Sequence, residues 1–204
     1  MSNAQERLLA EIKRSRENSF LRRSVLLNAM DELKDRNVGC SSCPGTCCTF
    51  VANSMQITPL EALDLYHFLK EKGLVNDTLW RDLEENILEY RLEGGAHVGA
   101  GRSFRRTYTC PFFAGKSLGC TISPAAKPYG CLAFNPARVL EKEGKSCSSD
   151  RSLLEQREHS LNENADNAEE VLNQKLRELL GLPWNKESIP VALISLRDHL
   201  SISP

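Results

Sequence analysis

Between residues 5 and 36, Leu8, Ile12, Leu26, Met30 and Leu33 recur at helical spacing among charged, helix-favouring neighbours. The pattern predicts one long helix, broken near Asn18-Ser19. It cannot continue through 39–48, where glycines, serines and Pro44 surround four cysteines and favour tight turns, so a knuckle-like loop is expected there. Residues 49–57 read as short and partly extended. Thr58 then opens the best-defined helix in the chain: it suits the N-cap, Pro59 suits the first helical position, Glu61 completes a capping box, and Gly73 closes the helix. A second helix is predicted over 77–93, with Leu79, Trp80, Leu83, Ile87 and Tyr90 on one face and Gly94-Gly95 as its end. The two form a helical hairpin.

Periodicity is lost over 94–101, and 103–109 alternates as a short strand leading into Cys110. Residues 110–136 are loop-rich. Helical spacing returns over 153–165, 168–180 and 191–200, with Gly181-Leu182-Pro183 as the break. The fold class expected is mainly α, with a helical hairpin and flanking helices around a loop-rich cysteine core that binds metal, and little β. Three regions follow: an N-terminal helical arm over 1–38, a cysteine-cluster metal-binding domain over 39–148, and a C-terminal helical region over 149–204 packing on the core.

The 204 residues suffice for one substantial core. With 26 basic against 27 acidic side chains there is no global basic field, so nucleic acid is not expected as a partner. Apolar runs such as 191–196 are far too short to span a bilayer, and the first residues are charged where a secretory segment would be apolar. No membrane partner and a cytoplasmic location are the expectation.

A reducing compartment decides how the eight cysteines are read, because clustered thiols there hold metal rather than disulfides. Cys40, Cys43, Cys47 and Cys48 fall within nine residues, and a Cys-x2-Cys loop brings two thiolates to one ion with little strain. Adjacent Cys47 and Cys48 are poorly placed to complete the same tetrahedron, so one of them points elsewhere. The remaining ligands are drawn from Cys110, Cys120 and Cys131, making one shared centre or two adjacent ones. Cys147 reads equally well as a ligand or as a small buried apolar residue. Thiolates suit both Zn2+ and iron, including a 4Fe-4S cluster, so the spacing does not choose the metal.

Cys40-x2-Cys43-x3-Cys47-Cys48, the Thr58-Pro59-x-Glu61 helix start, Cys110-Pro-Phe-Phe, Gly119-Cys-Thr-Ile122 and Lys127-Pro-Tyr-Gly-Cys131-Leu-Ala-Phe134 together resemble the YkgJ-type cysteine-cluster family, over about residues 40–135. The resemblance implies a zinc- or iron-chelating domain, some relatives pairing their cluster with methyl transfer to protein lysines. Ser123 stands where the family has tyrosine, Lys127 and Leu132 where it has arginines, and one residue is inserted before Lys127.

Weaker signals are read plainly. Arg102, Arg105 and Arg106, interleaved with Phe104 and Tyr108, suit a solvated strand edge. His67 reads as a half-buried histidine, and His97 is an outside candidate for a ligand. No phosphate loop, nucleophile elbow or His-Glu-x-x-His motif is present, and no general base can be named. The expected function is a metal-binding module, non-catalytic, docking a protein partner through its helical regions. The rival is an iron–sulfur enzyme that modifies protein side chains, such as by lysine methyl transfer. A third reading makes the metal structural and the C-terminal helices the interaction surface.

Overall fold

The computed structural model describes residues 19–35, 45–93, 96–98, 102–115, 119–135, 148–162 and 168–201. Among these the protein is mainly helical, with α1 (Ser19–Asp35), α2 (Pro59–Glu71), α3 (Asp77–Tyr90), the single turn α4 (Tyr129–Leu132), α5 (Arg151–Asn162), α6 (Ala168–Leu180) and α7 (Ile189–Ser201). The described strands form three short antiparallel pairs: β1 (Gln56–Ile57) with β6 (Glu187–Ser188), β2 (Ala96–Val98) with β3 (Arg102–Phe104), and β4 (Phe134–Asn135) with β5 (Ser148–Ser149). The expected helix before Ser19 lies outside the described residues.

Helix α2 starts as its sequence dictates. Glu61 N–H donates to Thr58 Oγ1 at 3.3 Å and Thr58 N–H donates to Glu61 Oε2 at 2.9 Å, satisfying two of the orphan donors of the first turn. Gly73, at φ +66°, follows its end. Helix α3 is capped by Asn76, whose side chain accepts from Leu79 N–H at 3.0 Å. It stops at Tyr90, short of the expected Gly94-Gly95. Arg91 takes the left-handed conformation, φ 50°, and Leu92 N–H donates to Ile87 O at 3.0 Å. The reason is packing: Leu92 is buried with Ile87 and Tyr108, the apolar contact that accompanies such a helix end.

The two helices of the expected hairpin both pack on α7, and Tyr66 of α2 also stacks on Trp80 of α3, with ring centroids 6.4 Å apart. Helix α6 covers another side of α2, so Leu60, Leu65, Leu69, Leu83, Leu176, Leu193 and Leu196 share one core with Cys110 and Phe112. Burial of these side chains is the main apolar stabilisation of the fold. Strand pairing in the region expected over 103–109 is limited to Arg102–Phe104, whose partner β2 lies within the stretch that shows no periodicity. Tyr108 is not at a solvated edge. It is fully buried, because its hydroxyl donates to Met55 O at 2.8 Å and accepts from Ile189 N–H at 3.1 Å.

Helix α1 buries arginines. Arg22 Nη2 and Arg23 Nη1 lie 2.7 and 2.9 Å from the same oxygen, Asp64 Oδ2 of α2, and Arg23 Nε donates to Lys127 O at 2.9 Å. Arg157 of α5 stacks its guanidinium 3.4 Å from the centroid of the Tyr129 ring, donates from Nε to Arg22 O at 2.8 Å, and pairs with Glu169 of α6. Removing one partner of a buried ion cluster leaves uncompensated charge in the interior. Asp64→Ala is therefore expected to lower unfolding free energy by about 3–5 kcal/mol, whereas Thr58→Ala, which removes only a cap, should cost about 1 kcal/mol. Chemical denaturation of the two variants measures the contrast, and equal losses would count against the ion cluster as a fold determinant.

Candidate metal centre

The first cysteine segment is bent by Gly45, at φ +77°, where a Cβ would lie 2.1 Å from the Phe113 ring. Only glycine fits, and Cys48 N–H closes a tight 3-10 turn over Thr46–Cys48 by donating to Gly45 O at 2.7 Å. The second segment is hydrogen-bonded directly to the first. Cys110 N–H donates to Cys48 O at 2.7 Å and Tyr108 N–H to Asn53 O at 2.9 Å. Helix α3 steadies the same stretch, Asn86 Nδ2 donating to Thr109 O at 2.9 Å and Tyr90 Oη to Thr109 Oγ1 at 3.0 Å. Beyond it the chain doubles back, Phe113 bridging to Cys120 and Thr121 N–H donating to Phe112 O at 2.9 Å, which returns Cys120 alongside Cys110.

Cys131 sits on the single turn α4, whose position is set from two sides. Glu61 Oε1 accepts from Tyr129 N–H at 2.8 Å, so one buried carboxylate both caps α2 and fixes the cysteine turn. Gly130 passes against Met55, where a Cβ would lie 2.6 Å from the sulfur. Burial pushes the Glu61 carboxyl up, and the two N–H donors and Arg23 oppose that shift.

These elements bring five of the candidate ligands together. Cys47, Cys48, Cys110, Cys120 and Cys131 line one cavity of about 40 Å³. Cys40, Cys43 and Cys147 lie outside the described residues. His97 stands on β2; His67 is half-buried on α2, edge-on to Tyr66 at 5.8 Å, and does not line the cavity. Apart from the thiols, the described polar side chains at the cavity are Asn53 and Lys127, both buried.

Desolvation governs the thiols. Burial pushes Cys110 up to about 12, the Phe112 N–H opposes this, and Cys120 and Cys47 add to it. Burial and then Cys110 and Cys120 push Cys131 up, while Lys127 pulls it down. Cys48 is pushed up first by its hydrogen bond with Cys47 and then by burial. Each thiolate would be desolvated beside other sulfurs, the setting that favours neutral thiols until a cation arrives.

Among the described residues no three His, Cys, Asp or Glu side chains form a ready metal-holding group. The donor chemistry, five thiols around one small cavity, fits a thiophilic ion such as Zn2+ or iron and does not fit a hard cation that prefers oxygen. A larger polar groove, about 830 Å³, adjoins the cavity and shares Cys47, Asn53 and Met55 with it. Sequence reasoning missed Asn53 and the burial of Lys127. Neither carries a local signal, since each is set by what packs against it. In comparisons with known proteins, no family model, curated protein or solved structure matches the chain.

The raised thiols give a pH dependence to the metal-free protein. Cys110 goes from 9.0 to about 12, so folding favours its neutral form. That contribution is intact below about 9 and is lost as pH rises through the folded value. The melting temperature of metal-free protein is expected to fall as pH is raised above 9, and Cys110→Ala should flatten that fall; a wild-type curve unchanged across this window would contradict the desolvated-thiol description.

Proposed function

We propose that this chain is a metal-binding cysteine-cluster protein, with Zn2+ or an iron centre held between its two cysteine segments. The observation that supports the reading is the convergence of Cys47 and Cys48 with Cys110, Cys120 and Cys131 on one cavity, in a protein whose other described cavity side chains offer no anionic oxygen. Cys40 and Cys43 complete the proposed donor set from the first segment. The resemblance of residues 40–135 to the YkgJ-type family points the same way. A bound ion would neutralise thiolates that burial otherwise disfavours, so metal affinity would be coupled both to folding and to proton release.

The role proposed is a chelating or interaction module, non-catalytic, in a reducing compartment such as the cytoplasm. Its protein partner would dock on the helical regions, where Phe20 and Leu21 of α1 are more than half exposed. A second reading, an iron–sulfur enzyme acting on protein side chains, is favoured by one feature, the polar groove that reaches Cys47. No membrane partner is expected, in keeping with the lack of any described helix long and apolar enough to cross a bilayer.

Elemental analysis and the absorption spectrum of anaerobically purified full chain test the proposal and divide zinc, colourless, from an iron–sulfur centre, brown. Cys43→Ser and Cys120→Ser should sharply lower metal content or soluble yield, and Cys147→Ser should be tolerated far better. Stripping with a strong chelator should lower the melting temperature. If wild-type protein supplied with both metals retains neither, or if complete stripping leaves its melting temperature and near-UV spectrum unchanged, the proposal fails.

A further inference from the structure

Asn53 is a buried amide with a fixed orientation and an unused donor. Its backbone carbonyl accepts from Tyr108 N–H, and its Oδ1 accepts from Met55 N–H at 3.1 Å. In a planar amide this turns Nδ2 to the opposite side. The side chain approaches the Tyr108 hydroxyl, which already accepts from Ile189 N–H, yet Nδ2 has no acceptor in hydrogen-bond geometry. Asn53 is only 5 % exposed, so water does not satisfy that donor in bulk. A buried donor left unmade is unfavourable by about 1–3 kcal/mol, enough to call for a physical explanation.

The surroundings narrow the explanation. Asn53 lines the cysteine cavity, where the other polar side chain, Lys127, is a cation and cannot accept. Among the described residues, the acceptors that other side chains bring to this cavity are sulfurs. A neutral thiol accepts weakly, whereas a thiolate accepts strongly, as charge-assisted hydrogen bonds do. Asn53 also lines the polar groove, and Cys47 is the one described cysteine that lines both spaces. The groove carries both signs of charge: Glu61 is engaged by two backbone N–H groups and Glu169 by Arg157, while Arg105, Arg151, Lys186, Glu158 and Glu170 also line it. Such a lining admits small neutral reagents as readily as charged ones.

We propose that Cys47 is the solvent-facing thiolate of the metal centre, the corner at which reagents and ligands from the groove reach it, and that Asn53 Nδ2 donates an N–H···S hydrogen bond to that sulfur. This rests on the metal-binding reading. Asn53 is thereby a positioning residue: it draws electron density from the sulfur, lowers its nucleophilicity and holds it toward the ion, as outer-shell donors do at other metal sites. The groove-facing sulfur is reactive by access and restrained by this bond. Cys110, which is buried, and Cys131, which does not line the groove, are neither.

The test is alkylation of the metal-loaded full chain by iodoacetamide at fixed pH, with modified peptides mapped over time and metal content measured on the same sample. In the reaction the sulfur attacks the iodoacetamide carbon, the S–C bond forms, and iodide leaves with the C–I electron pair. Cys47 should be modified at least about tenfold faster than Cys110 or Cys131, reflecting access. Asn53→Leu, which removes the donor while keeping the branch at Cγ, should raise the Cys47 rate severalfold and shift the sulfur-to-metal absorption band in protein loaded with Co2+ as a spectroscopic probe; Asn53→Ser, which keeps a donor, should restore part of both. Full metal content with Cys110 or Cys131 modified as fast as Cys47 overturns the inference alone, as do a Cys47 rate and a band unmoved by Asn53→Leu. Wild-type protein without metal overturns the metal-binding reading and this inference with it. Should Asn53→Leu fail to fold, the wild-type order of modification still decides.

Discussion

Two carboxylates one turn apart on α2 hold the cysteine turn in place. Glu61 takes the Tyr129 N–H, and Asp64 takes Arg22 and Arg23, the second of which donates to Lys127 O. Spacing of three residues puts both side chains on one helix face, and their partners grip 127–129 from two directions. Residues 119–135 contain little regular structure of their own, so their backbone cannot define the position of Cys131 unaided. Burial makes these contacts demanding, because each buried charge is tolerable only while its partners are present. The same requirement ties α1, α5 and α6 to the centre through Arg157, which stacks on Tyr129 and pairs with Glu169.

From that constraint the character of the candidate centre follows. Five described thiols line a small space whose other described polar side chains, Asn53 and Lys127, are both buried. Sulfur packed against sulfur is easily accommodated while protonated. Loss of the protons without a cation is not, and this asymmetry makes the frame suited to an ion that binds thiolates. Proton release and metal uptake would then be one event.

The centre also has a direction. Cys110 lies in the main core with Phe112 and the leucines of α2 and α7, whereas Cys47 opens on the polar groove. A purely structural metal site is closed on all sides. An ion proposed for this cavity would have an enclosed side, at Cys110, and a side facing the groove, at Cys47. Asn53 stands at the seam between them, its amide oriented by Met55 and its backbone by Tyr108.

Features that depend on near neighbours along the chain are legible from residue types alone. The Thr58 capping box, Pro59, the start of the helix at Asp77 and the Gly181 break rest on interactions across three or four residues, so their residue types announce them. The cysteine motif is equally plain, since ligand chemistry is a property of residue type. Tertiary structure alone decided that Tyr108 is buried, that α1 buries Arg22 and Arg23, and that α3 ends at Arg91 beside the buried Leu92. It alone placed Asn53 and Lys127 beside the five described thiols. In each case the determinant is a partner distant in sequence that removes water from a polar group or supplies its hydrogen bond, and no local pattern encodes which partner that is.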